Sequence, residues 1–378
     1  MLKKKYDFRN YNVLLVLVIL VISCFGALMI YSASETGEEM SNCIKQFMGI
    51  GISFVLMIVI SLIDYNFIMK FYWLVYLGNA GLLGLIWIIG TDLNTGARRW
   101  IQIGSSTSIQ PSEFAKVLMV IFLAKFLSVH RERISSFRFL GVLTIVVALP
   151  LGLIYKQPDL STTLLIAVVM ITMVYCAGLR YKNIFIILLC VIPILVTGII
   201  YIQSPDQVLL EKYQVNRILS FIEPDNPEYN ALKYQQDHAV QAIGSGQLYG
   251  KGYNNDDANS IKNAGHIAEA ESDFIFAVVG EEFGFVGSCF LIFLLAFLVF
   301  ECILISIYAK DFQGRLVCCG YGALIAFSTF INVGVVTEIL PNTGLPLPFV
   351  SKGLSSLIAL FGGAGVVLNV SLQRRKKI

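Results

Sequence analysis

Charged residues are scarce in this sequence: Asp, Glu, Lys and Arg together make up 14% of its 378 residues. A soluble domain carries about a quarter charged residues, so the shortage excludes a water-exposed globular surface. The net charge is only +3, which excludes the basic footprint of a nucleic-acid-binding protein. The sequence also has no Cys-x-x-Cys, no Cys and His spacing suited to zinc and no Walker motif, so neither a zinc site nor an ATP-driven function is expected.

Long apolar runs take the place of these features. Hydrophobic residues make up 56% of the chain, and the mean hydropathy is +0.74. Since about 20 apolar residues cross a bilayer, we predict a single all-α domain, 1–378, that is a polytopic membrane protein with about ten transmembrane helices. The candidate spans are 11–31, 46–63, 70–90, 113–129, 139–155, 160–179, 184–202, 274–309, 317–339 and 354–372.

The eighth candidate span, 274–309, is too long for one straight crossing. Its first turns carry Glu281 and Glu282, and carboxylates at membrane depth are expected to face protein or a cavity. The preceding segment, 203–273, is too long for a simple connector. We interpret it as a large extracytoplasmic loop.

The distribution of Lys and Arg predicts the orientation. With the N-terminus inside, 17 of the 28 basic residues fall in inner segments, six in short outer segments and five in the segment 203–273. Because basic residues favour the cytoplasmic side, both termini are predicted to be cytoplasmic. The unusual loops then all lie outside, which places any active site at the outer face.

The first outer segment carries the letters GARRW and then QPSEFAK. The proline and Ser112 predict a helix start with Ser112 as N-cap, which puts Glu113 and Lys116 on one face. That pair can bind a substrate or neutralise itself at the interface. Arg98 and Arg99 can hold a phosphate by forked hydrogen bonds or anchor lipid headgroups.

Two carboxylates stand where a polar loop enters an apolar helix. Asp159 is interpreted first as a cap of the next span together with Thr162. Asp273 is either the N-cap of a helix that starts at Phe274 or, if partly buried, a general base with a raised pKa. The glycine run AIGSGQLYGKG upstream of Asp273 is interpreted as a turn rather than a phosphate cradle.

The last outer segment, 338–353, reads EILPNTGLPLPFVSKG. Its prolines and glycines forbid a helix. Irregular backbone at membrane depth must be packed in protein or line a cavity.

These segments appear in the order GARRW, QPSEFAK, QPD, AIGSG with GKG, DFIFAVVGEE and PNTGLPLPF. In this order they resemble the SEDS family of shape, elongation, division and sporulation proteins over nearly the whole chain. A RodA-like subgroup is favoured. The sequence departs from the family's Ser-Tyr-Gly-Gly-Ser-Ser after the PLPF letters, where it reads SKGLSS and places Lys352.

The resemblance implies a peptidoglycan glycosyltransferase in the bacterial cytoplasmic (inner) membrane. Such an enzyme polymerises lipid II, an undecaprenyl-pyrophosphate-linked donor, for cell shape, division or sporulation. The implied partners are lipid II, membrane lipid and a class B penicillin-binding protein as transpeptidase.

The resemblance also assigns the site. Asp273 matches the family's essential aspartate and is the expected catalytic base. Positive charge, from basic side chains or from a divalent cation such as Mg²⁺ or Mn²⁺, is expected at the pyrophosphate leaving group. The candidate substrate-binding residues are Arg98, Arg99, Glu113, Lys116, Asp159 and Lys352.

Two other functions fit a membrane cavity with charged residues. A lipid II flippase needs charged groups along its whole transport path, whereas polar residues here cluster outside. A non-catalytic scaffold of a wall-synthesis complex requires that Asp273 be dispensable.

Overall fold

The computed structural model describes residues 6, 8–34, 37–91, 99–103, 107–202, 212–223, 226, 230–255, 260, 261, 267 and 269–374. These are mostly α-helical, in agreement with the predicted fold class. The helices are α1 (Val13–Ala33), α2 (Glu39–Leu62), α3 (Tyr65–Lys70), α4 (Tyr72–Ile89), α5 (Pro111–Val129), α6 (Phe137–Tyr155), α7 (Leu160–Cys176), α8 (Tyr181–Ile202), α9 (Lys212–Ile222), α10 (Asn230–Ser245), α11 (Ile275–Tyr308), α12 (Phe312–Val336) and α13 (Leu354–Leu372).

Each of the ten candidate spans overlaps one long helix over most of its length. Seven described helices are long and apolar enough to cross a membrane: α1, α2, α4, α6, α11, α12 and α13. Helix α7 is apolar but shorter, with 17 residues. The multi-pass helical fold is therefore confirmed, whereas the count of ten spans stays a prediction.

A short β-hairpin precedes α5. Its strands are β1 (Ile101–Ile103) and β2 (Thr107–Ile109), which pair antiparallel with Ile101 opposite Ile109. The sequence analysis did not predict it, because strands of three residues show too little alternation to be recognised.

The starts of α5 and α7 are held together. Helix α5 begins at Pro111, and proline suits a first helical position because it has no N–H to leave unpaired. The predicted capping by Ser112 is wrong: the Ser112 hydroxyl donates to Asp159 Oδ2 at 3.1 Å instead. The predicted cap of α7 is confirmed, since the Thr162 N–H donates to Asp159 Oδ1 at 3.1 Å.

Helix α13 is the most enclosed of the seven candidate spans, and it packs against α2, α5 and α12. Two glycines permit this close approach. A Cβ on Gly363 would lie 2.5 Å from the Tyr321 ring, and one on Gly365 would lie 2.7 Å from the Met57 carbonyl oxygen. Small residues allow membrane helices to approach each other in this way.

Helix α11 bends at Gly284, whose φ of +64° breaks the helical pattern. The turn after α10 replaces the interrupted hydrogen bonds: the Phe285 N–H donates to the Gln247 carbonyl at 2.9 Å, and the Lys251 N–H donates to the Glu281 carbonyl at 2.9 Å. A Cβ on Gly250 would clash with the backbone of α11. The glycine run therefore packs on the bend, and the segment 203–273 contains two helices, α9 and α10, rather than loop alone.

Arg9 and Arg374, which lie at or close to the first and last described residues, line the same cavity and therefore lie at one end of the bundle. At that end, Asn12 Nδ2 donates to Glu301 Oε2 of α11 at 2.6 Å. We call it the terminal end. The opposite end, where α5, α7, α11 and α13 begin, is called the site end.

Candidate active site

Contacts at the site end connect the starts of α5 and α7 with α13 and with the segment between α12 and α13. The Ser161 hydroxyl, at the start of α7, donates to the Thr343 carbonyl between α12 and α13. The Gln110 N–H, just before α5, donates to Ser355 Oγ at 3.0 Å. The segment 337–353 is irregular, as predicted, and its side chains Leu347 and Phe349 are buried. The loops thus form one packed polar layer above the apolar bundle.

Asp273 lies in the turn that enters α11. The N-cap position of α11 is Phe274, and no side chain caps it, so the capping interpretation of Asp273 is not what the structure shows. The half-buried carboxylate accepts from Ser272 Oγ at 3.3 Å and packs against Gly344, where a Cβ would lie 3.1 Å from Asp273 Oδ2. The carboxylate is therefore held at the surface of the polar layer without a structural hydrogen bond to the helix.

The surroundings of Asp273 raise its pKa to about 6. Burial is the largest cause, because removing water disfavours the carboxylate form, and the negative charge of Glu269 adds to it. The Ser272 hydrogen bond and the positive charges of Arg217 and Arg99 act in the opposite direction. A carboxylate with such a pKa is mostly ionised at neutral pH and is still basic enough to take a proton.

Glu113 and Lys116 form an ion pair on the first turn of α5, with Lys116 Nζ 2.8 Å from Glu113 Oε1. Both residues are buried, 3% and 6% exposed. The structure confirms that the two residues share one face of α5. It also shows the ion pair, which was one of the two interpretations of this spacing. Glu113 Oε2 is buried and has no hydrogen-bond partner among the described residues, so the pair is not saturated.

Asp159 is fully occupied in structure, because one oxygen caps α7 and the other accepts from Ser112. Arg99 holds the turn just before it: Nε donates to the Gln157 carbonyl at 3.1 Å and Nη2 to the Pro158 carbonyl. Its charge also acts on Asp273. Arg98 lies outside the described residues.

Lys352 belongs to the same layer. Its backbone N–H donates to the Glu271 carbonyl at 2.9 Å, and its Nζ lies 3.1 Å from Glu271 Oε1. The side chain remains 38% exposed. The Lys352 ammonium is therefore paired with Glu271, which lies two residues before Asp273 in the chain.

Among the described residues, no group of three or more His, Cys, Asp or Glu side chains could hold a metal ion. The chain's described side chains thus do not build a metal cage. Mg²⁺ usually keeps several waters and binds one or two carboxylates together with substrate phosphates.

Sequence reasoning missed Asn332 and Ser351. Asn332, in α12, donates to the carbonyls of Asp273 and Leu345, and the Ser351 hydroxyl donates to the Ser272 carbonyl at 2.6 Å. The available signal for Asn332 was an amide inside an otherwise apolar span, since such residues are costly unless paired.

A comparison with protein families places residues 11–376 in a model described as "Cell cycle protein" and labelled with FtsW, RodA and SpoVE. The chain is 35% identical to stage V sporulation protein E of Bacillus subtilis, over 96% of this chain and 98% of that protein. It is 32% identical to the probable peptidoglycan glycosyltransferase FtsW of the same organism, over 98% of this chain and 93% of that protein.

Solved structures share the fold. One described as "Structural coordination of polymerization and crosslinking by a peptidoglycan synthase complex" matches with a TM-score of 0.80, at 24% identity, over 98% of this chain and 99% of that one. The rod shape determining protein RodA of Thermus thermophilus matches with a TM-score of 0.68, at 24% identity, over 98% of each chain.

Proposed function

The chain belongs to the family of cell cycle proteins labelled with FtsW, RodA and SpoVE, and it is a peptidoglycan glycosyltransferase of cell-wall synthesis. We propose that it polymerises lipid II with Asp273 as its general base. The observation that carries this proposal is the Asp273 carboxylate. It is half-buried, has a pKa of about 6 and is not used to cap α11. The RodA-like subgroup stays a prediction, because the relatives include a sporulation protein and FtsW proteins alike.

In the proposed reaction, the 4-hydroxyl of the acceptor sugar attacks the anomeric carbon of the donor. A carbon–oxygen bond forms as the bond from that carbon to the pyrophosphate oxygen breaks, and undecaprenyl pyrophosphate leaves with the electron pair. The hydroxyl proton passes to the Asp273 carboxylate, which is ionised above its pKa. A base placed within hydrogen-bond reach accelerates such a step by about 10²–10⁴-fold.

The leaving pyrophosphate needs positive charge. Arg99 supplies a guanidinium with five N–H donors, of which two hold backbone carbonyls. Lys352 contributes a partly exposed ammonium that is paired with Glu271, two residues before Asp273 in the chain. Lys116 is buried against Glu113, and the free oxygen of Glu113 can accept from a sugar hydroxyl. Arg98 and Asp159 are also proposed to contribute to substrate binding. Asp159 would act indirectly, because it caps α7 and so fixes the turn at the start of that helix.

A divalent cation would supply further charge neutralisation when bound. Since the described side chains form no cage of three ligands, we propose that the cation would arrive with the pyrophosphate. Chelation by EDTA should then lower the polymerisation rate, and Mg²⁺ or Mn²⁺ should restore it. Full activity in EDTA would remove the cation from the proposal.

We further propose that the site end faces the outside of the bacterial cytoplasmic membrane and that both termini are cytoplasmic. The charge distribution supports this orientation. In a cysteine-free background, Tyr249→Cys should react with an impermeant thiol reagent in intact spheroplasts, whereas Tyr181→Cys should react only after lysis. Both tyrosines are more than three-quarters exposed. The reverse pattern would invert the topology.

A class B penicillin-binding protein is the proposed transpeptidase partner. The crosslinking half of wall synthesis needs a second active site, and the fold is shared with a chain of a solved peptidoglycan synthase complex. Co-purification of the chain with candidate transpeptidases, followed by assay of lipid II polymerisation, tests the pairing.

The experiment that tests the base is Asp273→Asn, purified with its transpeptidase and supplied with lipid II. Asparagine keeps the size of the side chain but cannot take the proton, so polymer should fall by at least about 10²-fold. The matched control is Asp311→Asn at the terminal end, where Asp311 Oδ1 caps α12 by accepting from the Gly314 N–H at 2.8 Å. That variant should keep near-normal activity. Near-normal polymerisation by Asp273→Asn would contradict the assignment and favour a scaffold.

A further inference from the structure

Asn332 is an amide buried to 1% exposure inside α12. Both of its N–H groups are committed to backbone: Nδ2 donates to the Asp273 carbonyl oxygen at 2.8 Å and to the Leu345 carbonyl oxygen at 2.7 Å. A flipped amide would point its oxygen at two carbonyl oxygens, so these contacts fix its orientation. One side chain thus joins the turn before α11 to the segment between α12 and α13.

The two carbonyls flank the carboxylate. Asp273 carries one of them, and Leu345 follows Gly344, the residue against which Asp273 Oδ2 packs. Gly344 has a φ of +67°, which glycine adopts without strain, and its missing Cβ leaves room for the carboxylate. The separation between carboxylate and Gly344 therefore depends on the Asn332 clamp.

Other ties reach this turn, but they act before Asp273. The Ser351 hydroxyl holds the Ser272 carbonyl at 2.6 Å, and the Lys352 N–H holds the Glu271 carbonyl at 2.9 Å. Among the described residues, Asn332 is the side chain that holds the Asp273 carbonyl itself.

We propose that Asn332 is a positioning residue for the general base: it clamps the backbone of Asp273 against Gly344 and so sets where the carboxylate meets the acceptor hydroxyl. The inference rests on the proposed function of Asp273. Asn332 Oδ1 is buried without a hydrogen-bond partner among the described residues, an arrangement that costs stability. The presence of asparagine at this position despite that cost fits a role for its two N–H donors, which bind the turn that carries Asp273 and the segment after α12.

The clamp also controls the environment of the carboxylate. Burial is the main reason that Asp273 titrates near pH 6, and the charged groups that act on it are Glu269, Arg217 and Arg99. None of these three is bound by Asn332 in the described contacts. Releasing the turn should admit water to the carboxylate and lower its pKa, with the neighbouring charges left in place.

The test is Asn332→Leu in the complex of the chain with its transpeptidase, with lipid II polymerisation followed from pH 4.5 to 8. Leucine has the same number of side-chain heavy atoms as asparagine and a larger volume, and it has no hydrogen-bond donors. We expect kcat to fall about ten- to a hundredfold, the cost of a small misplacement of a reacting group. The KM for lipid II should stay unchanged and the acidic limb of the pH profile should move to lower pH.

The matched control is Asn369→Leu. Asn369 is equally buried, and it donates to the Ser61 carbonyl at 2.7 Å and accepts from the Tyr65 N–H at 2.9 Å at the terminal end. Any activity that Asn369→Leu loses should be proportional to the loss of folded protein, and the acidic limb of its pH profile should not move. If Asn332→Leu does not insert into the membrane, Asn332→Ser takes its place. Serine keeps one hydrogen-bond donor, so the acidic limb of the pH profile should move in the same direction by a smaller amount.

An Asn332 variant that loses activity only in proportion to folded protein, with an unmoved acidic limb, overturns the proposal. A wild-type profile without an acidic limb, or an active Asp273→Asn, would instead remove the base and this inference with it. The two failures are therefore distinguishable in one data set.

Discussion

The two ends of the helical bundle use buried polar groups differently. At the terminal end the carboxylates are saturated: Asp64 Oδ1 accepts from the Asn66 N–H at 3.0 Å and from Gln373 Nε2 at 2.9 Å. The two oxygens of Asp311 accept from the Gly314 N–H and the Tyr65 hydroxyl, each at 2.8 Å. These groups cap helices and join them.

At the site end, buried polar atoms remain without partners among the described residues. They include Glu113 Oε2, Asn332 Oδ1, Glu338 Oε1 and Thr343 Oγ1. Elsewhere in the described part, such atoms include Ser23 Oγ, Ser53 Oγ, both amide atoms of Asn79, Thr329 Oγ1 and Arg374 Nε. Because a buried group without a partner is costly, its persistence calls for an explanation, and a substrate that supplies hydrogen bonds is one. Carboxylates with hydrogen-bond partners thus hold the terminal end together, whereas the layer that contains Asp273 keeps several polar atoms without partners in the described part of the chain.

The largest expected difference between the two ends comes from replacing Lys116 and Lys125, which lie toward opposite ends of α5. Lys116→Met leaves Glu113 as a lone buried carboxylate, which typically costs about 3–5 kcal/mol in free energy of unfolding, and polymerisation should be lost. Lys125→Met removes only the 2.8 Å hydrogen bond to Gln313 at the terminal end and should cost about 1 kcal/mol. Thermal unfolding in detergent and polymerisation assays measure both effects.

The double variant Glu113→Gln with Lys116→Met separates stability from activity. It has no buried charge, so folding should recover toward wild type, while polymerisation should stay impaired. If activity recovers together with stability, the Glu113–Lys116 pair has only a structural role.

A pH measurement sharpens the comparison at Arg99. Its positive charge lowers the pKa of Asp273, so Arg99→Gln should raise that pKa further. The carboxylate form is then lost at higher pH, and the acidic limb of activity should move upward by up to about one pH unit. Arg99→Lys keeps the charge, and Arg131→Gln removes a guanidinium stacked on Phe312 elsewhere; neither should move the limb. An upward shift in Arg131→Gln would show that the effect is not local.

The smallest effect is expected at Lys352. Its ion pair with Glu271 is partly exposed, so Lys352→Met should change the free energy of unfolding by at most about 1 kcal/mol. The KM for lipid II should nevertheless rise if Lys352 contacts the pyrophosphate. Lys233→Met, which removes the 3.5 Å pair with Asp237 on α10, is the control. Equal KM values in the two variants would exclude Lys352 from substrate binding.

Much of this architecture could be read from local sequence. The apolar runs located a helix in each predicted span. The length of the eighth indicated that it is not one straight crossing, and the structure shows a bend at Gly284. The i, i+3 spacing of Glu113 and Lys116 predicted that they share a face, where the structure shows them paired. These features depend on neighbours in the chain, so periodicity and spacing suffice.

Features that depend on distant residues could not be read. Ser112 was predicted as a cap, but its hydroxyl reaches Asp159 on another helix. The glycine at 250 was interpreted as part of a turn, whereas its close approach to α11 is what requires it. The link from Asn332 to Asp273 crosses between two helices, and nothing in the local pattern of α12 specifies that partner.

The most direct test of the account is the pH dependence of lipid II polymerisation by the wild-type complex and by Asp273→Asn. Because Asp273 must be ionised to accept the proton and its pKa is about 6, the wild-type rate should be level above pH 7 and should fall tenfold per pH unit well below pH 6. Asp273→Asn should show little polymer at any pH and no such limb. A wild-type rate that is level from pH 4.5 to 8, or the same limb in an active Asp273→Asn, would contradict the assignment of Asp273 as the base.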